Sequence, residues 1–365
     1  MSIEFFTRLP LHGETEFLPG DPRNRGDWSK VEGHDNTGAV SSFNVGDDFS
    51  YIDYLSQVAR SAEINGFSGV LMVNAPTGEE PWTVCSLLAR ETKKLNFVTA
   101  FQPYHFSPYN AVQSAATYQR ATGNRLVWNI INGGSEVIQR QVGDVIPHDD
   151  RYERATEFMD VVKGYWYNEN FHYQGKYYQA EGGGLKHPLN KAELPIICTA
   201  GSSEAAREFA AKHADYYLMR AEKPEEIQKL IADIRERAIR HGATEDEAFA
   251  AAQRFLDEAA EKQRLNAGAA HKGLRSARVL SFEKEYQHKE GSKSVHDFFI
   301  HDNVWSGFGY IGIPPGVALV GSYTQIIQRI VEYQSIGVDL FFLAGYPHLE
   351  ENYRLGEHVL PYFRG

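Results

Sequence analysis

A turn of small residues between an apolar run and a helical pattern is the stretch best suited to chemistry. It lies within Pro195–Ala211, PIICTAGSSEAAREFAA, where Ile196–Cys198 is typical of a buried strand. Gly201, Ser202 and Ser203 then come directly before the helical pattern. The first N–H groups of a helix lack partners within it and lie at the positive end of its dipole. The pattern therefore predicts an anion site, most often for phosphate; simple capping of the helix by one of the two serines is the alternative.

The overall composition narrows the classes of function. The net charge of -11 and a pI near 5.7 argue against a nucleic-acid-binding protein, which needs a basic surface. Cys85 and Cys198 lie in apolar runs and are expected to be buried thiols rather than a disulfide or zinc ligands. His105 and His148 have no companions at ligand spacing, so we expect no metal site.

The sequence shows no targeting pattern and no run of apolar residues long enough to span a bilayer. We therefore expect a cytoplasmic protein without a membrane segment.

Strand-like runs alternate with helical patterns along the chain, beginning near residues 4, 69, 96, 125, 195, 215 and 338. This alternation predicts an α/β fold, a TIM (β/α)8-type barrel with insertions, as a single domain over residues 1–365. Phe171–Tyr178 is expected to form an inserted hairpin, and Glu79 and Glu80 to cap a helix at Pro81.

One barrel strand is missing from this pattern. After the helical stretch that ends at His241, residues 243–247 (ATEDE) form an acidic first turn that indicates another helix, extending to Glu258 or beyond. No eighth strand is expected after residue 242, so the barrel is either closed by residues 274–320 or not fully closed.

Several segments together carry a family likeness: FFTRLPLHG, GVLMVNAPTGEEPW, FQPYHFSPYN, RLVWNIINGG, HDDRYERATEF, the AGSS turn and GYPHLEE. In this order they resemble the bacterial-luciferase-like, two-component FMNH2-dependent monooxygenases. The likeness is strongest to the alkanesulfonate monooxygenase branch, including its sulfoquinovose relatives. It covers most of the chain apart from 13–50 and 243–300.

The resemblance implies a flavin cofactor, reduced FMN, supplied by a separate NAD(P)H-dependent flavin reductase. The cofactor positions it implies are Asn132, Gly133, Gly134, Ser135, Tyr152, Gly201, Ser202 and Ser203. The last four would hold the phosphate, in agreement with the anion site inferred from the turn. The first four would approach the isoalloxazine ring or the ribityl chain, although they could also form an ordinary glycine turn.

The same resemblance places His12, Tyr346 and His348 at the reaction centre, as catalytic residues. Polar residues at the ends of adjacent barrel strands agree with that role. A substrate anion would be bound by Arg8, if its side chain points inward rather than merely flanking the strand, and by a long loop, predicted as an insertion over residues 13–50. The candidates in this loop are Arg23, Arg25 and Trp28, and a solvated surface loop is the alternative. The arginine and histidine that the family carries on the missing strand have no match here.

The implied reaction is cleavage of the C–S bond of an organosulfonate by FMNH2 and O2, giving an aldehyde and sulfite. The substrate would be a sulfosugar such as sulfoquinovose, or an alkanesulfonate. Residues 262–320 are expected to form a mobile lid, and family members commonly dimerise. Two alternatives stay open: a flavin-binding protein with a degenerate, inactive barrel, and a deazaflavin-dependent dehydrogenase.

Overall fold

A computed structural model describes residues 3–10, 51–74, 79–133, 135–241, 255–261, 295–307, 317–345 and 348–364. The predicted insertion loop at 13–50 and most of the predicted lid at 262–320 lie outside the described residues.

The strands, in chain order, are β1 (Glu4–Arg8), β2 (Gly69–Met72), β3 (Asn96–Phe101), β4 (Leu126–Ile130), β5 (Phe171–Gln174), β6 (Gln179–Gly183), β7 (Ile196–Ala200), β8 (Tyr216–Arg220), β9 (Phe255–Glu261), β10 (Phe299–His301), β11 (Val304–Trp305), β12 (Ala318–Leu319) and β13 (Val338–Ala344). Eight of them form a closed parallel barrel in the order β1-β13-β9-β8-β7-β4-β3-β2. The predicted hairpin is β5 with β6, and β10, β11 and β12 form a small antiparallel sheet.

Helices follow most barrel strands and pack around the outside. They are α1 (Tyr51–Ile64), α2 (Pro81–Leu88), α3 (Pro108–Thr122), α4 (Glu136–Gln141), α5 (His148–Tyr167), α6 (Glu204–His213), α7 (Pro224–Arg240), α8 (Tyr323–Ser335) and α9 (His348–His358). Glu80 caps α2 as expected, since its carboxylate accepts from the N–H groups of Trp82 and Thr83. None of the helices in the described part of the chain is both long and apolar enough to cross a membrane.

The barrel prediction is confirmed, but the expectation that one strand is absent is wrong. Strand β9 fills the gap and pairs in parallel with β13 on one side and β8 on the other, where Phe341 and Met219 both align with Asp257. Its sequence, FLDEAAE, has no β-branched residue and is rich in residues that favour helices. Pairing on both edges overrides that local preference, so propensity alone could not reveal the strand.

Two apolar layers surround the barrel wall. The inner one draws a residue from each of seven barrel strands and none from a helix, which identifies it as the barrel interior: Phe6, Leu71, Val98, Val127, Cys198, Leu218, Leu340 and Phe342. The outer one joins the alternate strand positions to the helices. Because side chains alternate along a strand, the inner set fixes which residues face the barrel axis.

Candidate functional site

The turn that follows β7 leaves no room for a side chain at Gly201. Its φ is +139°, and a Cβ there would lie 2.7 Å from the Cβ of Ala206 and 2.9 Å from the Tyr152 hydroxyl oxygen. Glycine is therefore required, and the Tyr152 hydroxyl lies directly against the backbone of the turn.

Ser203 begins α6 as its N-cap. Its hydroxyl oxygen accepts from the N–H of Ala206 at 3.2 Å, which confirms the capping role while leaving the hydroxyl proton available to a ligand. Ser202 is exposed beside it.

The Tyr217 hydroxyl donates to the carbonyl of Gly201. Because the peptide unit is planar and trans, the N–H of Ser202 then points away from Tyr217.

Tyr152 is held by aromatic neighbours on both sides. Its ring centroid lies 6.1 Å from that of Phe209 and 5.1 Å from that of His148, and the residue is 8% exposed. Burial raises the pKa of Tyr152 to about 12. The phenol therefore stays protonated at neutral pH and can donate a hydrogen bond.

The turn that follows β4 is equally constrained. Gly133 has φ +69°, and a Cβ there would lie 2.0 Å from the Nε2 atom of Gln139. Ser135 caps α4, with its hydroxyl oxygen 3.4 Å from the N–H of Ile138. The Nδ2 atom of Asn132 is buried without a hydrogen-bond partner in the described part of the chain.

Arg151, which sequence reasoning missed, connects the two turns. Its guanidinium donates to the carbonyls of Asn132 and Gly133 at 3.0 and 3.1 Å. The next residue on α5 is Tyr152, which reaches the turn after β7. The structure thus brings seven of the eight predicted cofactor positions into one region at the carboxyl ends of β4 and β7; Gly134 lies outside the described residues.

Two arginines face the barrel axis at its carboxyl end. Arg8 is two residues beyond Phe6, and Arg220 is two residues beyond Leu218, both of which belong to the inner layer. The Nη2 atom of Arg220 is buried from solvent. Arg220 was missed because the apolar run that predicted its strand ends one residue earlier; counting alternate positions from Leu218 finds it.

His348 is buried at the start of α9, directly after β13. Since β13 pairs with β1, His348 follows the strand beside the one that ends at Arg8. The other predicted catalytic and substrate-binding residues lie outside the described part of the chain: His12, Tyr346, Arg23, Arg25 and Trp28.

Comparison with known proteins decides the family. The sequence profile of the family described as luciferase-like monooxygenase matches residues 30–340. The chain belongs to this luciferase-like monooxygenase family. The predicted resemblance is confirmed at the level of the family, and with it the enzyme class, an oxidoreductase of the monooxygenase type.

Solved structures share the fold of this luciferase-like protein at low sequence identity. The long-chain alkane monooxygenase LadA is 18% identical with a TM-score of 0.68, over 100% of this chain and 91% of that one. EDTA monooxygenase from Chelativorans sp. BNC1 is 17% identical with a TM-score of 0.65, over 100% and 94%. The coenzyme F420-dependent tetrahydromethanopterin reductase from Methanopyrus kandleri is 15% identical with a TM-score of 0.65, over 100% of both chains. At these identities the likeness establishes the barrel fold.

Proposed function

We propose that this protein is a two-component monooxygenase that uses reduced FMN and O2 to cleave the C–S bond of an organosulfonate. The observation that carries the proposal is the Tyr152 hydroxyl lying against the Gly201 turn at the start of α6, in a chain of the luciferase-like family.

The FMN phosphate fits the residues of this turn. Gly201 has no side chain to keep a ligand from its backbone, Ser203 retains a hydroxyl proton, and Tyr152 supplies a phenol donor. All are uncharged donors at the positive end of a helix, the arrangement that suits a phosphate. Tyr152, Gly201, Ser202 and Ser203 would hold the phosphate.

The rest of the flavin would extend towards the turn after β4. The unpartnered Nδ2 atom of Asn132 is a donor that a flavin carbonyl or ribityl hydroxyl could satisfy. Asn132, Gly133, Gly134 and Ser135 would contact this part of the cofactor. When bound, reduced FMN supplies two electrons and the place where O2 is activated. One oxygen atom ends in the aldehyde carbonyl and the other in water, while the C–S electron pair leaves with sulfite.

An anionic substrate is supported by Arg8 and Arg220, which face the barrel axis at the end where the flavin would bind. A guanidinium presents paired N–H donors that match the oxygens of a sulfonate. Arg23, Arg25 and Trp28 would extend this site for a sugar-sized substrate.

His348 would complete the reaction centre with His12 and Tyr346. It is buried and follows the strand beside that of Arg8. A histidine there can donate a hydrogen bond to negative charge that develops on the substrate as the C–S bond breaks.

Sulfite release tests the proposal. The purified protein is incubated with a flavin reductase, NADH, FMN, O2 and either sulfoquinovose or octanesulfonate. Sulfite formed from sulfoquinovose, and little from octanesulfonate, is the expected result. Equal turnover of both would overturn the sulfosugar assignment, and FMN binding with no sulfite from either would overturn C–S cleavage.

A deazaflavin-dependent dehydrogenase is the second candidate, because the coenzyme F420-dependent reductase has the same barrel. Tighter binding of the deazaflavin than of FMN would favour it. The degenerate-barrel alternative depended on an absent strand, and β9 removes that reason.

We propose that the enzyme forms a homodimer or a larger assembly. A groove of about 1020 Å³ between α2 and α3 is lined by apolar side chains that include the exposed Leu87 and the partly buried Trp82. Light scattering on the purified protein would measure the mass of the assembly directly.

Since the proposed reductase uses NAD(P)H, we expect the enzyme and its reductase to act in the cytoplasm.

A further inference from the structure

Two buried arginines lie at opposite ends of β4, and both donate to backbone carbonyls. Arg125 directly precedes the strand and is 8% exposed; Arg151 reaches the turn that follows it and is 2% exposed. Each guanidinium donates to three backbone carbonyls. This pair allows a local structural role to be separated from a role in the cofactor site.

Arg151 connects α5 to the turn after β4. Its Nε, Nη1 and Nη2 atoms donate to the carbonyls of Asn132, Ile146 and Gly133 at 3.0, 2.8 and 3.1 Å. Among the described residues, these nitrogens meet carbonyl oxygens rather than a carboxylate. The nearby Asp144 is instead bound by both terminal nitrogens of Arg154, at 3.0 and 2.6 Å.

These bonds determine how the turn is oriented. A peptide unit is planar and trans, so its N–H points opposite to its carbonyl. The carbonyl of Asn132 points at Arg151, and the N–H of Gly133 therefore points away from α5. Gly133 adopts φ +69°, a left-handed conformation that glycine takes without strain, so the turn can hold this orientation.

We infer that Arg151 is a positioning residue for the flavin: it fixes the Asn132–Gly133 turn so that the Gly133 N–H and the Asn132 side-chain amide meet the edge of the ring that carries negative charge after reduction. The inference rests on the proposed function, and it adds a specific consequence. Donors that are fixed in place stabilise the reduced, negatively charged flavin more than the neutral oxidised one. Arg151 should therefore set the preference of the site for reduced FMN.

Arg125 supplies the matched control. Its Nε, Nη1 and Nη2 atoms donate to the carbonyls of Thr122, Leu95 and Ala89 at 2.9, 3.1 and 2.7 Å. It lies at the amino end of β4, the opposite end from the proposed flavin. The Nη1 atom of Arg125 also donates to the Thr92 hydroxyl at 2.9 Å. Removing either guanidinium leaves three carbonyls without their donor, so both variants should lose stability, and Arg125→Met should lose at least as much as Arg151→Met.

The experiment compares Arg151→Met, Arg151→Lys and Arg125→Met with the unmodified protein. Thermal unfolding gives the Tm of each, and anaerobic titrations give the Kd for oxidised and for reduced FMN. We expect both methionine variants to lower the Tm, with Arg125→Met lowering it at least as much as Arg151→Met. Arg151→Met should weaken binding of reduced FMN about tenfold more than binding of oxidised FMN. Arg125→Met should leave the ratio of the two Kd values unchanged. Arg151→Lys keeps the charge and one donor group, so its ratio should lie between those of the unmodified protein and Arg151→Met.

An unchanged ratio of the two Kd values in both Arg151 variants would overturn the inference and leave the proposed function standing. If Arg151→Met does not fold, the ratio in Arg151→Lys decides the question. If the unmodified protein binds FMN in neither redox state, the proposed function fails, and the role of Arg151 fails with it.

Discussion

Replacing Tyr152 by Phe removes one hydroxyl from the proposed phosphate site and leaves the ring in place. The ring packs beside Phe209 and His148, so these contacts should survive and stability should change by about 1 kcal/mol or less. A hydrogen bond to a charged group contributes about 1.5–3 kcal/mol. We therefore expect the Kd for FMN to rise by about 10-fold to 100-fold. Because burial raises the pKa of Tyr152 to about 12 and the phosphate is a dianion above pH 7, the loss should be the same from pH 7 to pH 9.

Quenching of flavin fluorescence measures this effect when FMN and riboflavin are titrated in parallel. Riboflavin has no phosphate, so Tyr152→Phe should leave its Kd unchanged. Tyr118→Phe is the matched control, because the Tyr118 hydroxyl is also buried and donates to the carbonyl of Cys85 at 3.0 Å, away from the site. Tyr118→Phe should lower the stability of the protein and leave the Kd for FMN and the Kd for riboflavin unchanged. Equal weakening of FMN and riboflavin by Tyr152→Phe, or no weakening of FMN, would refute the reasoning.

Three further predictions concern the turn, the helical layer and the substrate. Gly201→Ala should lower the free energy of unfolding by about 3 kcal/mol through overpacking and backbone strain. Gly123 has open space around it, so Gly123→Ala should lower it by about 1 kcal/mol, and urea unfolding measures both values. Burial lowers the pKa of His213 to about 2, although Asp160 lies 3.8 Å away. As the pH falls below about 6.5, the His213 imidazole therefore becomes protonated in the unfolded chain while it stays neutral in the folded protein. Stability should therefore drop by about 2 kcal/mol between pH 7 and pH 5, and His213→Phe should flatten that part of the profile; an unchanged profile would contradict it. Arg220→Met should raise the KM for the sulfonate about tenfold or more and leave the Kd for FMN unchanged; a loss of FMN binding instead would place Arg220 on the cofactor.

Features that depend on short segments could be predicted from the sequence. The AGSS turn follows a strand and starts a helix, and β3 begins at Asn96, where the strand-like run was predicted to begin. The capping alternative was correct for Ser203. It does not exclude an anion site, because a cap uses the oxygen of the hydroxyl and leaves its proton free.

Features that depend on tertiary pairing could not be predicted. Strand β9 has a sequence that favours a helix, and its strand conformation follows from the two edges that it joins. Arg151 precedes a recognised tyrosine, yet its role depends on carbonyls from two separate turns. Arg220 is the intermediate case, because alternation along β8 could have identified it as an inward residue.

A crystal structure of the protein with FMN bound would test the central claim most directly. We expect the phosphate to lie within hydrogen-bond distance of the Tyr152 hydroxyl and the Ser203 hydroxyl at the start of α6, with the ring over the carboxyl end of the barrel. A phosphate bound elsewhere, or a flavin at the amino end of the strands, would contradict it.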